Sequence, residues 1–282
     1  MVEKSISSYG DLTSQSPFNS DKLVVNVGPT YMCFIVRLHG KEEIAAFELF
    51  EFDKVLDNWY DVFYNVKNQS KILDRSYNHT TVLYNMPESV LIPAEKYSAE
   101  SASDFLTTVF GEHFNQLINT DTFNINEPVV NAYGIKRSLF DIVGSNFLMV
   151  EARHYYSMLL NVLLHDSVLP SGTFLRLEFY KNTLVLVLIH ERRLQLVQQY
   201  NITNADDMLY YVLSVLEQYR YKPSEVQLEV AGIIDTRTQD YDFLRKLFPH
   251  ISFDTLNTAI ALPELVEQYP AHYLSPFFKV LA

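Results

Sequence analysis

The sequence predicts a two-lobed α/β protein built from duplicated mixed β-sheets flanked by helices. Three observations carry this expectation. Lys22–Leu38 reads KLVVNVGPTYMCFIVRL and Thr173–Ile189 reads TFLRLEFYKNTLVLVLI, each a pair of apolar strands joined by a tight polar turn. Each pair is followed by a third strand and then a helical pattern, so the order of elements repeats although the residues do not. A Pro-Ser-Gly break at Pro170–Gly172 separates the two copies.

Met1–Ser20 is polar, serine-rich and aperiodic, and reads as a flexible tail. Strands follow at Leu23–Val27, Met32–Leu38 and Ile44–Phe50, with Gly28-Pro29 and Gly40-Lys41 supplying the turns. Trp59, Val62, Phe63, Val66 and Leu73 fall at near-helical spacing and predict an amphipathic helix over Trp59–Leu73. Thr80–Tyr84 is a β-branched strand, Asn85–Ser89 interrupts it, and Val90–Pro93 resumes an extended course. Ser98 is placed to N-cap a helix over Ala99–Phe110, with the apolar stripe Phe105, Leu106, Val109, Phe110 and Phe114. A strand at Val129–Ile135, a short helix through Leu139–Val143, a strand at Phe147–Val150 and an apolar helix at Tyr155–Leu164 complete the first half.

The second half opens with strands at Thr173–Tyr180, Thr183–Ile189 and Arg193–Gln199. Asn204 is the next N-cap, and Asp206 and Asp207 answer the positive end of the helix dipole. Met208, Tyr211, Val212, Val215, Leu216 and Tyr219 hold the i, i+3, i+4, i+7 pattern behind it. A strand at Val226–Ile234, a helix at Asp242–Leu247 and a strand at Ile251–Phe253 follow Pro223. Pro263 opens a last helix at its first position. In the closing segment HYLSPFFKVLA, His272, Tyr273, Phe277 and Phe278 form an aromatic cluster expected to dock on the chain's own core.

Composition narrows the function classes. Of 282 residues, 48% are hydrophobic and 20% charged, which provides a large core and argues against global disorder. The formal net charge of −12 opposes a phosphate backbone and no Lys/Arg run offsets it, so neither nucleic acid nor an anionic membrane surface is expected as partner. No apolar run approaches the ~20 residues that span a bilayer, and the N-terminus lacks the apolar core of a secretory signal. A cytoplasmic location without membrane insertion is the expectation. Cys33, the single cysteine, lies in an apolar strand and reads as a buried hydrophobe. The eight histidines show no metal-binding spacing and there is no G-x-S-x-G elbow, so no catalytic residue and no metal ligand is assigned.

Three stretches resemble a known superfamily. Leu23–Leu38 (LVVNVGPTYMCFIVRL) is similar to the first hairpin of the actin-like ATPases, the ribonuclease H-like fold of actin, Hsp70 and sugar kinases. Thr80–Tyr97 (TTVLYNMPESVLIPAEKY) is similar to a stretch of the degenerate bacterial branch of pilus-assembly and type II secretion adaptors. Pro270–Ala282 (PAHYLSPFFKVLA) resembles the C-terminus of an uncharacterised bacterial family of that fold. The resemblance covers nearly everything after the N-terminal tail and implies one actin-like lobe over 21–170 and a second over 171–282.

It also implies where a nucleotide would bind. Each first hairpin of the superfamily holds an Asp, then x-Gly and Thr or Ser, so that the acid organises the metal and backbone N–H groups meet phosphate. Here the first hairpin offers Asn26-Val27-Gly28-Pro29-Thr30. Asn26 is neutral, a poor partner for Mg²⁺, and Pro29 lacks an N–H, while Gly28 and Thr30 keep the pattern. In the second hairpin Glu178 takes the place of the Asp, Tyr180 replaces the glycine, and Lys181 follows. The adenosine segment keeps Gly232 alone where three glycines are usual. Gly28, Thr30, Glu178, Lys181 and Gly232 are therefore vestigial nucleotide-cleft candidates, and no cofactor is expected. The reading that follows is a pseudo-enzyme, a scaffold or adaptor acting through protein–protein contacts with an unidentified partner, self-association being left open. Its alternative is an ATP-binding regulator or kinase-like enzyme holding ATP with Mg through altered phosphate motifs.

Overall fold

A computed structural model of the chain describes residues 1–10, 21–38, 43–53, 58–112, 115–165, 169–255 and 263–281. The Gly40-Lys41 turn, Phe114 of the predicted stripe and the part of the predicted tail over 11–20 lie outside the described residues. The chain forms two compact units, one of Met1–Met158 with Asn257–Gln268 and one of Leu159–Leu256 with Tyr269–Ala282.

In chain order the first unit holds β1 (Val2–Tyr9), β2 (Lys22–Gly28), β3 (Tyr31–Arg37), β4 (Ile44–Phe52), α1 (Trp59–Lys67), β5 (His79–Tyr84), β6 (Ser89–Pro93), α2 (Ala99–Phe110), β7 (Gln116–Asn124), β8 (Pro128–Lys136), α3 (Arg137–Asn146) and β9 (Val150–His154). Helix α4 (Tyr155–His165) follows, and the division between the two compact units passes through it. The second unit holds β10 (Thr173–Tyr180), β11 (Thr183–His190), β12 (Arg193–Asn201), α5 (Ala205–Gln218), β13 (Val226–Gly232), α6 (Gln239–Leu247) and β14 (His250–Phe253). Helix α7 (Pro263–Gln268) returns to the first unit and α8 (Ala271–Lys279) belongs to the second.

The predicted repeat is a repeat of topology. The first unit's large sheet runs β1-β4-β3-β2-β5-β9 and the second unit's runs β12-β11-β10-β13-β14. Leaving β1 aside, each order is third strand, second, first, fourth, fifth. In both sheets the first strand is antiparallel to the second and parallel to the fourth. The parallel pairs need a crossover, which α1 supplies in the first unit and α5 in the second. The carboxyl ends of the first and fourth strands therefore lie side by side, Val27 beside Tyr84 and Phe179 beside Gly232. Open α/β sheets receive ligands at such ends. Between β5 and β9 the first unit carries an additional sheet of order β6-β8-β7.

Burial follows the pleat. Leu175, Leu177 and Phe179 of β10 join Leu184, Leu186 and Leu188 of β11 beneath Met208, Val212 and Leu216 of α5. The alternate residues Phe174, Arg176, Glu178 and Tyr180 are also buried, so β10 has no solvent face. In the first unit Phe34, Phe50 and Phe52 pack with Trp59, Phe63 and Val66 of α1, and Phe52 meets the Trp59 ring edge-on at 6.3 Å. Cys33 is buried, and no helix among the described residues is long and apolar enough to cross a membrane.

Several expectations need correction. The predicted tail begins with a strand: β1 pairs antiparallel with β4 at the sheet edge. Helix α1 ends at Lys67 and not at Leu73, because Ser70 turns inward to donate to Glu48. Helix α2 has the expected Ser98 cap, in a reciprocal box with Ser101, but it buries Ala102 and Leu106 while Phe105 and Val109 stay exposed. Strand β7 was not expected, and β9 starts where the predicted Phe147–Val150 strand ends. The closing aromatic segment is helical despite Pro276. Pro276 cannot donate to the His272 carbonyl, and the Ser275 hydroxyl bonds that oxygen at 3.1 Å instead.

Strand β1 also explains a buried charge. Glu48 of β4 is shielded from solvent, and the Lys4 ammonium lies 3.1 Å from its Oε1. The Tyr9 and Ser70 hydroxyls and the Lys71 N–H donate to the same carboxylate. Lys4→Met removes the ammonium paired with Glu48 and is expected to lower the unfolding free energy by about 3 kcal/mol. Adding Glu48→Gln should recover part of that loss. Urea unfolding read by Trp59 fluorescence measures both, and an unchanged Lys4→Met midpoint would contradict the pairing.

Candidate functional site

The β2–β3 turn presents Gly28 and Thr30 as the sequence expects, but the chain itself occupies the turn. A Cβ added to Gly28 would sit 2.1 Å from Cε1 of Tyr31, so the Tyr31 ring occupies the space that a side chain at position 28 would need. The Tyr31 hydroxyl donates to Asn26 Oδ1 at 2.9 Å and accepts from Asn85 Nδ2 at 2.9 Å. The Asn85 N–H in turn donates to the Val27 carbonyl at 2.8 Å, which seats the residue after β5 against the end of β2. Asn26, Thr30, Tyr31 and Asn85 are all buried. Asn26 Nδ2, Thr30 Oγ1 and Asn85 Oδ1 have no hydrogen-bond partner among the described residues. Buried groups of this kind select a small neutral polar guest over an ion, since none carries charge. With no carboxylate in the set and a ring on the glycine, these residues do not fit a Mg²⁺-bound phosphate.

Beside this turn lies a second polar cluster that sequence spacing gave no sign of. His154 ends β9 next to Tyr84 of β5. Its Nδ1 accepts from the Tyr156 N–H at 3.2 Å, so its Nε2 carries the proton and donates to the Met86 carbonyl at 3.0 Å. Burial holds the imidazole neutral and lowers its pKa to about 3. Asp121 of β7 accepts from the His154 N–H and, at 3.3 Å, from the Tyr133 hydroxyl. Burial raises the Asp121 pKa above the ordinary carboxylate value in spite of these donors.

In the second unit the sheet does bring Glu178 and Gly232 together, through the pairing of Phe179 with Gly232, and Lys181 stands exposed in the following turn. Gly232 has φ 83° and a Cβ there would lie 2.0 Å from the Phe179 carbonyl oxygen. Ile233 then donates to that same oxygen at 2.7 Å. The glycine is thus required by the close return of the backbone onto β10.

Glu178 is engaged below that point. Its Oε1 accepts from Arg176 Nε at 2.7 Å, and Arg176 Nη2 donates to Asp254 Oδ2 at 2.7 Å. Arg176 Nη1 bonds Glu229, and Lys279 of α8 reaches Asp254 Oδ1 at 2.8 Å. Arg176 is fully buried. Burial disfavours its charge, but Glu178, Asp254 and Glu229 overcome this and raise its pKa further. Burial likewise works against the Asp254 carboxylate, yet Arg176 and Lys279 hold its pKa down at about 2. Tyr180 covers the cluster, with its hydroxyl 3.4 Å from Glu178 Oε2 and its ring edge-on to Phe277 at 5.7 Å. His272 of the same helix stacks on Phe253 at 4.2 Å and contacts the Ile234 carbonyl at 3.2 Å. The aromatic segment therefore docks on its own unit.

Sequence reasoning missed Tyr31, Asn85, His154, Arg176, Glu229, Asp254 and Lys279. One signal was present: Arg176 and Glu178 sit two apart in an apolar strand and must share a face.

These sheets, with the same strand order twice and loops at the carboxyl ends of their parallel pairs, form an actin-like ATPase fold. A crystal structure from Bacteroides thetaiotaomicron, described as a protein with actin-like ATPase fold and unknown function, matches 97% of this chain and 99% of its own at 17% identity, with a TM-score of 0.75. A chain of the PilM–PilN type IV pilus biogenesis complex matches 92% of this chain and 96% of its own at 10% identity, with a TM-score of 0.58. The chain belongs to the family described as protein of unknown function DUF3822, whose model matches residues 13–251. No curated protein matches it.

Two measurements test the energetics. Arg176→Met removes the guanidinium shared by the buried Glu178 and Asp254 carboxylates and is expected to reduce stability by about 3–5 kcal/mol in urea. An unchanged midpoint would show that the cluster is not formed. The second concerns His154, whose folded pKa of about 3 lies below its unfolded value near ~6.5. Its contribution is complete above that unfolded value and is lost as pH falls toward the folded one, because only the unfolded chain takes the proton. Between pH 7 and pH 5 the loss is about 2 kcal/mol. His154→Gln should remove this slope, and urea midpoints at three pH values would expose the idea if the slopes stayed equal.

Proposed function

We propose that this protein is a non-catalytic scaffold or adaptor of actin-like fold that works through protein–protein contacts. The observation that carries the reading is the internal use of the phosphate-binding positions. Tyr31 lies on Gly28, Asn26 is bonded to the Tyr31 hydroxyl, and Glu178 is paired with Arg176. Large apolar side chains are meanwhile left outward, among them Tyr60, Tyr64, Phe140, Leu148 and Met149 in the first unit and Tyr210 and Leu213 in the second. Tyrosine and apolar residues of this kind supply the contact area of protein interfaces. The PilM–PilN complex gives a precedent for a related fold inside a protein assembly. In this reading actin-like lobes over 21–170 and 171–282 serve in the bacterial cytoplasm as a framework for a protein partner. Titration calorimetry with ATP and Mg²⁺ is expected to give no binding heat, and micromolar affinity would overturn the pseudo-enzyme reading.

One observation favours the rival, an ATP-binding regulator or kinase-like enzyme: Gly28 and Thr30 keep the superfamily's phosphate-loop pattern in the β2–β3 turn. The rival predicts that ATP raises the unfolding temperature and that Thr30→Ala or Glu178→Ala reduces the rise. A parent protein that ATP leaves unstabilised dismisses it.

A further inference from the structure

We infer that β12 is a docking edge for a second copy of this chain, whose own β12 adds antiparallel across a two-fold axis at Gln198. The second unit's sheet ends in β14 on one side and β12 on the other. Strand β14 is four residues long, and a short strand blunts an edge. Strand β12 has nine residues, no proline, and a charge at Arg193 alone. Its pairing with β11 shifts at Gln195, whose carbonyl accepts from the Tyr219 hydroxyl at 2.9 Å. Leu196–Asn201 is then a regular stretch, about 20 Å of edge with no strand beside it among the described residues. The equivalent third strand of the first unit, β4, shows what this position accepts, since β1 pairs antiparallel along its outer side.

Face and charge select the second copy. Leu196 and Tyr200 lie on the α5 side of the sheet, half-buried, with Gln198 between them. A two-fold axis at Gln198 sets Leu196 opposite Tyr200 of the second copy, twice, and Gln198 opposite its own equivalent. Aliphatic–aromatic pairs of this kind stabilise a ladder, and no like charges face each other. The Tyr200 ring stacks on Tyr211 of α5 at 4.4 Å, and Tyr211 meets the exposed Tyr210 edge-on at 5.5 Å. The paired strands thus continue onto the tyrosine surface that interfaces favour. Arg193 pairs with His190 and is exposed at the start of the strand. Antiparallel addition carries it to the segment after Asn201 of the second copy, which enters α5 with Asp206 and Asp207 in the first turn. A cation therefore meets carboxylates at both ends of the ladder, in a chain whose net charge of −12 otherwise opposes self-association.

The arrangement is isologous, with one surface used twice, so it closes as a dimer and does not extend into a filament. It goes beyond the adaptor reading, and the two fail separately: ATP binding would overturn that reading, a monomeric chain this one.

Sedimentation velocity of the full chain is the test. The parent is expected to approach twice the chain mass by about 100 μM, a concentration that reveals even a weak dimer. Gln198→Lys sets two ammonium groups opposite each other and should weaken the dimer about ten-fold or more. Gln198→Glu does the same with carboxylates, and an equimolar mixture of the two variants should dimerise again, because each lysine then faces a glutamate. Arg193→Glu, at an exposed position, should weaken the dimer more at low salt than at high salt, and gives a second readout if a Gln198 variant fails to fold. A parent that stays monomeric at that concentration overturns the pairing and leaves the edge to a strand of another protein. A dimer that both Gln198 variants retain, or that their mixture does not restore, uses another surface and overturns it as well.

Discussion

The second unit depends on one buried guanidinium. Arg176 stands on β10 in register with Glu229 of β13, and β13 is in register with β14, whose exit carries Asp254. Three strands therefore meet at one guanidinium, and α8 joins them through the bond from Lys279 to Asp254. Burying that charge is unfavourable unless every donor is matched, so the arrangement is close to all-or-none. Strand β14 is only four residues long and α8 contains a proline. Neither has strong local reasons to stay in place, and the bonds from Arg176 and Lys279 to Asp254 supply the missing ones. The apolar face of β10 gives the unit its bulk stability. The Arg176 face fixes which strands and which helix lie over it.

The first unit meets a related demand with neutral groups. Tyr31, Asn26 and Asn85 form a chain of hydrogen bonds at the end of the parallel pair, and Glu48 is answered from the sheet edge by Lys4. In an actin-like fold the ends of these strands are where a ligand's charge would be met. Here the polar groups at those positions bond to one another, within each unit separately. A shared topology does not fix the chemistry at these positions, which is the general relation between a fold and the functions it hosts.

What could be read from the sequence followed from local physics. The hairpins were legible because β2, β3, β10 and β11 are apolar on both faces and end in turn residues, and α5 because Asn204 and a regular apolar stripe mark it. Strand β1 was not legible: VEKSISSY has little apolar character, and its place is decided by Glu48, 44 positions from Lys4. Strand β7 is a polar edge strand with the same handicap. Helix α8 was obscured by Pro276, whose missing donor is replaced by a neighbouring hydroxyl. Among site residues, Glu178 and Gly232 could be placed by analogy of position. The partner that redefines Glu178 needed Arg176 to be seen as buried, and its other carboxylates, Glu229 and Asp254, are 53 and 78 positions away.

The two ends of β5 show why an unmet hydrogen bond does not by itself mark a site. Asn26 Nδ2, Thr30 Oγ1 and Asn85 Oδ1 at the carboxyl end and Thr80 Oγ1 toward the amino end have no partner among the described residues. All four are buried with almost no accessible surface, so a guest reaches none of them unless neighbouring side chains move. Their effect in this arrangement is on stability, because a buried polar atom without a partner carries its full desolvation cost. The ordered networks around Arg176 and Glu48, in which donors and acceptors are matched, offset that cost within each unit.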